Sequence, residues 1–178
     1  MLKHAIEQAK ADSFRGQDIP WLLEQWAERS PEKVAMVWSP FEGAERTLTY
    51  QALLAEARAH AAGLAERGVR PGDFILIHLD NSYEFVVAWL ACACVGAVAV
   101  STNTRSVARD LSYFAEVTEA VGAITQPAFG PLLREACPEL GWLVVTDNDA
   151  GTPAAADLEA LKAESFTALR SDGVLPPL

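Results

Sequence analysis

The chain has 178 residues, and 51% of them are hydrophobic, which is enough to bury the core of one ordinary domain. Its formal net charge of −10 argues against nucleic acid and anionic membrane surfaces as partners, because binding to either requires a basic patch. The 3 cysteines lack paired spacing, which argues against a disulfide framework and favours a reducing, cytoplasmic location.

The first elements are short. Residues 1–17 are predicted to be a flexible lead-in, and residues 1–12 lack the apolar core of a signal peptide. A helix that begins near Pro20 follows, because proline suits the first turn of a helix. The stretches 34–38 and 46–49 are then predicted to form the two strands of a hairpin.

Beyond the hairpin, helices and apolar strands alternate. Thr49 can cap a long amphipathic helix, which Gly68 terminates. Apolar strands are predicted at 74–79, 97–100, 121–125 and 142–146, with helices between them at 82–95, 106–119 and 128–136. A weak helix near 156–164 and then coil follow. This alternation predicts an α/β fold with a doubly wound, mainly parallel sheet and helices on both faces, plus the small N-terminal hairpin.

Residues 85–100, FVVAWLACACVGAVAV, form the longest apolar run. A helix needs about 20 apolar residues to span a membrane, and Gly96 interrupts this shorter run. The run therefore predicts a buried helix, a glycine turn and a buried strand, with no membrane span. Cys92 and Cys94 lie within the predicted helix, where apolar surroundings favour inert thiols.

Polar residues follow the strand at 74–79 directly. Asn81 can cap the next helix, and Glu84 lies three residues on, where the acid of a capping box belongs. The carboxyl end of a strand is also where open α/β folds bind ligands, so Asp80, Asn81 and Ser82 have a second interpretation. Helix capping is the favoured interpretation, and a ligand site is the alternative.

The stretch STNTRS at 101–106 is a stronger ligand candidate. It connects a buried strand to a helix, and its hydroxyl and amide groups lie where an anion can bind, with charge from Arg105. The candidate binding residues are Thr102, Asn103, Thr104 and Arg105. In the alternative interpretation, Ser106 caps the next helix and Arg105 is solvated.

Other motifs point to no chemistry. The chain has no glycine-rich phosphate loop and no G-x-S-x-G elbow, and DNDAG at 147–151 lacks the spacing of a calcium loop. His60 is expected on the polar side of its helix, and His78 is expected to be a hydrogen-bonded core residue. No metal ligands are predicted, because none of the 3 histidines has a second ligand at metal spacing.

Several features are weak alone but specific in their order. They are LTY at 48–50, GVRPGD at 68–73, Asn81 after its strand, ACVGAVAVSTN at 93–103, and a helix ending near Val117. This order resembles the N-terminal part of adenylate-forming enzymes, which include acyl-CoA synthetases, luciferases and peptide-synthetase adenylation domains. The resemblance covers residues 18–146 well and 147–178 loosely, and it is nearest to ligases of the carnitine/crotonobetaine-CoA ligase kind.

The resemblance implies an ATP-dependent ligase that makes an acyl-adenylate and then a thioester. The full-length enzyme is expected to use ATP, Mg²⁺ and CoA, and none of them is expected to bind tightly to this fragment. It implies that the loop from Thr102 to Arg105 lies near the CoA nucleotide, and it assigns no catalytic residue to this chain. The phosphate loop and catalytic lysine are expected beyond Leu178. The chain is therefore expected to be an N-terminal fragment, inactive alone, with an α/β subdomain at 18–146 and a tail at 147–178 that leads toward the catalytic part.

The expected partners follow from the same resemblance. They are the remaining subdomains of the same polypeptide and a small carboxylic acid, and the isolated chain is expected to self-associate. The alternative is a standalone, non-catalytic α/β module that binds a small molecule or a protein, since a fold alone does not imply an activity. A doubly wound dinucleotide enzyme is disfavoured, because the glycine fingerprint is missing.

Overall fold

The structure is a computed structural model that describes residues 17–175. The predicted lead-in therefore lies outside the described residues, except for residue 17. The helices are α1 (Ile19–Arg29), α2 (Tyr50–Glu66), α3 (Tyr83–Val95), α4 (Ala108–Thr118), α5 (Gly130–Ala136) and α6 (Leu158–Leu161). The strands are β1 (Val34–Trp38), β2 (Arg46–Thr49), β3 (Phe74–His78), β4 (Val98–Ser101), β5 (Gly122–Thr125), β6 (Trp142–Val145), β7 (Asn148–Asp149), β8 (Thr152–Pro153) and β9 (Glu164–Ser165).

The main sheet has five strands in the order β4-β3-β5-β6-β9, and every neighbouring pair is parallel. Strand β3 lies between β4 and β5, where Ile77 aligns with Ser101 on one side and Ile124 on the other. The short apolar runs of the sequence become these strands because a parallel sheet is covered on both faces. The predicted doubly wound, parallel architecture is confirmed.

Two apolar cores lie on opposite faces of the sheet. Ile75 and Ile77 belong to the core that α2 and α3 cover, whereas Leu76 between them belongs to the core that α4 and α5 cover. This division follows from the period of two along a strand. Fully buried alanines on α2 and α3, namely Ala57, Ala61, Ala88 and Ala91, let these two helices pack closely. Helices therefore cover both faces, as predicted.

The apolar run at 85–100 folds as predicted into a helix, a turn and a strand. Gly96 follows α3 with a φ of 77°, a left-handed conformation that glycine adopts without strain, and β4 begins two residues later. Among the described residues, no helix combines the length and the apolar character needed to cross a membrane.

The N-terminal hairpin is confirmed, with β1 and β2 antiparallel from Trp38–Arg46 to Val34–Thr49. Thr49 caps α2 as predicted, since its Oγ1 accepts a hydrogen bond from the backbone N–H of Ala52 at 3.2 Å. The hairpin therefore leads directly into the helix that covers one face of the sheet.

Residues 164–171, which we call the strap, are not the coil that the sequence predicts. Ser165 of β9 pairs with Val145 of β6, and a 3₁₀ turn at Thr167–Leu169 follows. The strap then crosses α2, where the N–H of Ser171 donates to the carbonyl of Ala59 at 3.0 Å. A two-residue strand carries no periodic signal, which is why the sequence pattern misses it.

The strap also corrects the prediction for His60, whose side chain is only 1% exposed. The ring of Phe166 stacks on the imidazole with centroids 4.4 Å apart, and Nδ1 donates to the carbonyl of Glu56 at 2.8 Å. Helical periodicity places His60 on the outer face of α2, but the strap covers that face.

Candidate functional site

The carboxyl ends of the three strands β3, β4 and β5 lie side by side and carry polar side chains. His78 ends β3, Thr102 follows β4, and Thr125 ends β5. Parallel strands bring these ends to one edge of the sheet, where open α/β folds bind ligands. We call this edge the carboxyl edge, and it contains the candidate loop predicted from the sequence.

Thr102 connects the candidate loop to β3. Its Oγ1 lies 2.8 Å from Nδ1 of His78 and 3.3 Å from the carbonyl oxygen of Ile77. Its backbone N–H donates to the same carbonyl at 3.0 Å. The first residue of the candidate loop is therefore held by both its backbone and its side chain.

The rest of the loop is held by two internal hydrogen bonds to Asn103. The side chain of Asn103 accepts from the backbone N–H of Arg105 at 2.8 Å, and the N–H of Ser106 donates to the Asn103 carbonyl at 2.9 Å. Asn103 and Arg105 are exposed, while Thr104 is half-buried. Within residues 17–175, Arg105 forms no ion pair, so its guanidinium is available to an anion.

Ser106 is not the helix cap that the sequence suggests. Helix α4 begins one residue later, and Val107 occupies the N-cap position. The carboxylate of Asp110 accepts from the N–H of Val107 at 3.3 Å, which satisfies one of the free donors at the helix start. Ser106 therefore does not cap the helix. Arg105 is exposed, as the capping interpretation expects.

At the end of β3, Ser82 rather than Asn81 caps α3. The Oγ of Ser82 accepts from the N–H of Phe85 at 3.0 Å, whereas Asn81 is exposed. Glu84 does not close a capping box either, because its Oε1 accepts from Nδ2 of Asn148 at 2.8 Å. The helix begins one residue later than predicted, although the general interpretation of a helix start is confirmed.

Asp80 is held by a side chain that the sequence analysis did not single out. Its backbone N–H donates to Oε1 of Gln126 at 2.8 Å, and Nε2 of Gln126 donates to the Asp80 carboxylate at 3.1 Å. Gln126 directly follows β5, so the signal available in the sequence was its position after an apolar strand. Asp80 is thereby tied to the neighbouring strand end.

Burial lowers the pKa of His78, which is fully buried, while the nearby Asp80 carboxylate opposes that shift. The imidazole is therefore neutral at pH 7. The Thr125 hydroxyl donates to the His78 carbonyl at 2.9 Å, which links β5 to the same group of contacts. The prediction of a hydrogen-bonded core histidine is confirmed.

The cysteines offer no nucleophile. Burial raises the pKa of Cys92 to about 12 and that of Cys94 to about 11, so both thiols are protonated at pH 7. In the part of the chain from residue 17 to residue 175, no group of three or more His, Cys, Asp and Glu side chains could hold a metal ion.

Residues 23–173 match the family model described as AMP-binding enzyme. The chain belongs to the AMP-binding enzyme family. This assignment confirms the resemblance to adenylate-forming enzymes that was inferred from the order of the sequence motifs.

Curated relatives in this AMP-binding family include a salicylyl-CoA synthase / salicylate adenylyltransferase of Streptomyces sp., which is 34% identical over 85% of this chain and 28% of its own length. A crotonobetaine/carnitine–CoA ligase of Salmonella paratyphi A is 29% identical over 70% of this chain and 24% of its own length. The apo structure of MbtA from Mycobacterium smegmatis aligns with a TM-score of 0.71 and 26% identity, over 97% of this chain and 32% of that one. The chain thus spans about a quarter to a third of the length of these proteins.

Proposed function

We propose that this chain is the N-terminal part of an ATP-dependent acid–CoA ligase. Such a ligase converts a carboxylate and ATP into an acyl-adenylate and pyrophosphate, and then transfers the acyl group to the thiol of CoA. The observation that carries the proposal is the match of residues 23–173 to the AMP-binding enzyme family. Named ligases among the relatives of this region support it further.

The chemistry divides unevenly between this chain and the rest of the proposed ligase. ATP and Mg²⁺ make the carboxylate reactive by turning one of its oxygens into part of a good leaving group. The described residues form no dedicated site for either group, because they contain no cluster of three or more metal-ligating side chains and the sequence has no glycine-rich phosphate loop. We therefore assign no catalytic residue and no step of adenylation to this chain.

The loop Thr102–Arg105 does fit an anion, and we assign it to the CoA nucleotide. CoA carries a diphosphate and a further phosphate, which favour an unpaired guanidinium. In a chain of net charge −10, the exposed Arg105 at the carboxyl edge is a local positive charge. Thr102 and Asn103 hold the loop so that Arg105 projects outward.

The substrate we propose is a small carboxylic acid. The names of the two curated relatives specify salicylate in one case and crotonobetaine or carnitine in the other, and these acids are all small. The proposed partners are the remaining subdomains of the same ligase, in the cytoplasm. Exposed apolar side chains on β4 and α4, namely Val98, Tyr113 and Val117, are the surface through which the isolated chain would self-associate.

Pyrophosphate exchange into ATP, dependent on added carboxylate, tests the ligase activity. The coding sequence is first read beyond the Leu178 codon, and the complete product is assayed with salicylate, benzoate and crotonobetaine. We expect exchange with the complete ligase and none with the 178-residue chain. A stop codon after Leu178, together with no exchange, would overturn the proposal in favour of a standalone binding module.

Replacing Arg105 with alanine in the complete ligase tests the assignment of the loop to CoA. Loss of one charge-assisted hydrogen bond, worth about 1.5–3 kcal/mol, should raise the KM for CoA by roughly 10-fold or more. Pyrophosphate exchange does not use CoA and should keep its rate. Arg70→Ala is the matched control, since Arg70 is also exposed but precedes β3 at the opposite edge of the sheet. An unchanged KM for CoA in Arg105→Ala would refute the assignment.

A further inference from the structure

His78 is a polar side chain in an unusually buried place. It ends β3, the strand between β4 and β5, and is 0% exposed, yet it lies directly behind the candidate loop. Its Nδ1 forms the 2.8 Å hydrogen bond with Oγ1 of Thr102. This bond connects the end of β3 to the first residue of the loop.

The direction of this hydrogen bond follows from the contacts of Thr102. A hydroxyl has a single proton, and the Ile77 carbonyl, 3.3 Å away, can only accept it. Both contacts of Oγ1 are hydrogen bonds if the hydroxyl donates to Ile77 and the Nδ1–H of His78 donates to the hydroxyl. We assign the imidazole this tautomer, in which Nδ1 carries the proton.

The other ring nitrogen of His78, Nε2, forms no hydrogen bond among the described residues. Nε2 of His78 is buried and has no hydrogen-bond partner among the residues from 17 to 175, and the ring of Phe129 packs against the imidazole with centroids 5.0 Å apart. A leucine would fill similar space without burying an unpartnered nitrogen. Packing alone therefore does not explain a histidine here, whereas the Nδ1 contact does.

The amides that follow Thr102 depend on its position. The N–H of Arg105 and the N–H of Ser106 both donate to Asn103, the residue after Thr102. If Thr102 moves, Asn103 moves with it, and the turn that presents Arg105 loses its fixed base. The contact of Thr102 with His78 is thus the side-chain link from β3 to the orientation of Arg105, beside the hydrogen bonds of Thr102 to the Ile77 carbonyl.

We propose that His78 is a positioning residue, which holds Thr102 through Nδ1 and thereby orients the loop that receives the phosphates of CoA. The inference rests on the proposed function for the part that concerns CoA. The orientation of the loop itself can be tested on the 178-residue chain without any activity.

Hydrogen exchange of the Thr102, Arg105 and Ser106 amides tests the orientation. His78→Leu and Thr102→Val each remove one side of the hydrogen bond, and we expect both to speed exchange at these amides about 5- to 10-fold. His78→Asn retains a side-chain N–H near the position of Nδ1 and should stay within about 2-fold of the wild type. Thr102 is half-buried and valine has nearly the same shape, so the Thr102→Val chain should fold. It therefore still tests the hydrogen bond if His78→Leu does not fold.

The KM for CoA of the complete ligase tests the consequence. We expect His78→Leu and Thr102→Val to raise it about 5- to 10-fold, the double variant to raise it no further, and His78→Asn to restore it. Equal effects of His78→Leu and His78→Asn, or unchanged amide exchange in Thr102→Val, would overturn the positioning role. If the complete protein shows no carboxylate-dependent pyrophosphate exchange, the proposed function is overturned instead. Amide hydrogen exchange then decides alone whether His78 orients the loop.

Discussion

Replacing Gly63 with alanine should detach the strap from α2. A methyl group at this position would overlap the carbonyl oxygen of Leu169 and come within 2.7 Å of its carbonyl carbon. These are backbone atoms, so a side-chain rotation cannot relieve the clash. Either the strap or α2 must move, and the strap is the shorter and more exposed element.

The magnitude follows from what the strap buries. Leu169 is 0% and Phe166 4% exposed, and burying such a side chain contributes about 1.5–3 kcal/mol each. Losing both costs about 3–6 kcal/mol, while alanine in place of glycine inside a helix stabilises by about 1 kcal/mol. The free energy of unfolding should therefore fall by roughly 2–5 kcal/mol. Propensity alone predicts the opposite sign, which makes the experiment decisive.

Urea denaturation measures this change, and amide exchange locates it. The N–H groups of Phe166 and Ser171, which donate to Val145 and Ala59, should lose protection. Gly130→Ala is the matched control, because its methyl group would meet no backbone atom, only the flexible end of Leu161 at 2.9 Å and a methyl group of Val145 at 4.0 Å. Overpacking of about 1–3 kcal/mol, offset by about 1 kcal/mol of helix propensity, should lower its stability by at most about 2 kcal/mol. If the Gly63→Ala chain is as stable as the wild type and both amides stay protected, the close approach of the Leu169 carbonyl to Gly63 is refuted.

Two further predictions concern titration. Burial raises the pKa of both thiols and keeps them protonated at pH 8, so Cys92 and Cys94 should resist Ellman's reagent until urea unfolds the chain. Fast labelling in the native state would contradict their burial. Burial lowers the pKa of His60 and His78, so the unfolded chain binds more protons than the native one as the pH falls below about 6.5. The two neutral imidazoles therefore cost the native state no stability above that pH, whereas acidification favours the unfolded chain. The urea midpoint should fall as the pH is lowered from 7.5 to 5.5. His78→Asn should reduce that drop, and an equal drop in this variant would remove His78 as a cause.

The parallel sheet was predictable because each of its buried strands is a continuous apolar run bounded by helix signals. The run from Phe74 to His78 and the one from Trp142 to Val145 are examples, and both became strands within one residue of the expected ends. The boundary between β3 and α3 was less predictable, since Asn81 and Ser82 are both good caps. Only the path of the backbone after β3 decides between them.

Other features depend on contacts between distant residues and carry no local signal. Helical periodicity puts His60 on the outer face of α2, and nothing near it in the sequence indicates that Phe166 covers it. The pairing of Gln126 with Asp80 likewise requires two neighbouring strand ends. The loop Thr102–Arg105 was predicted from its hydroxyl and cationic residues, and its role toward CoA stays a prediction.

The strap also has a consequence for biosynthesis. Its contacts join residues about a hundred positions apart, such as Arg67 with Glu164 and Glu66 with Ser171. Helix α2 leaves the ribosome long before its covering does, and the apolar ring of Phe166 reaches the imidazole of His60 only after β6 has been made. During translation, the outer face of α2 therefore stays exposed until the strap has been synthesised, and a chaperone can bind this face only in that interval.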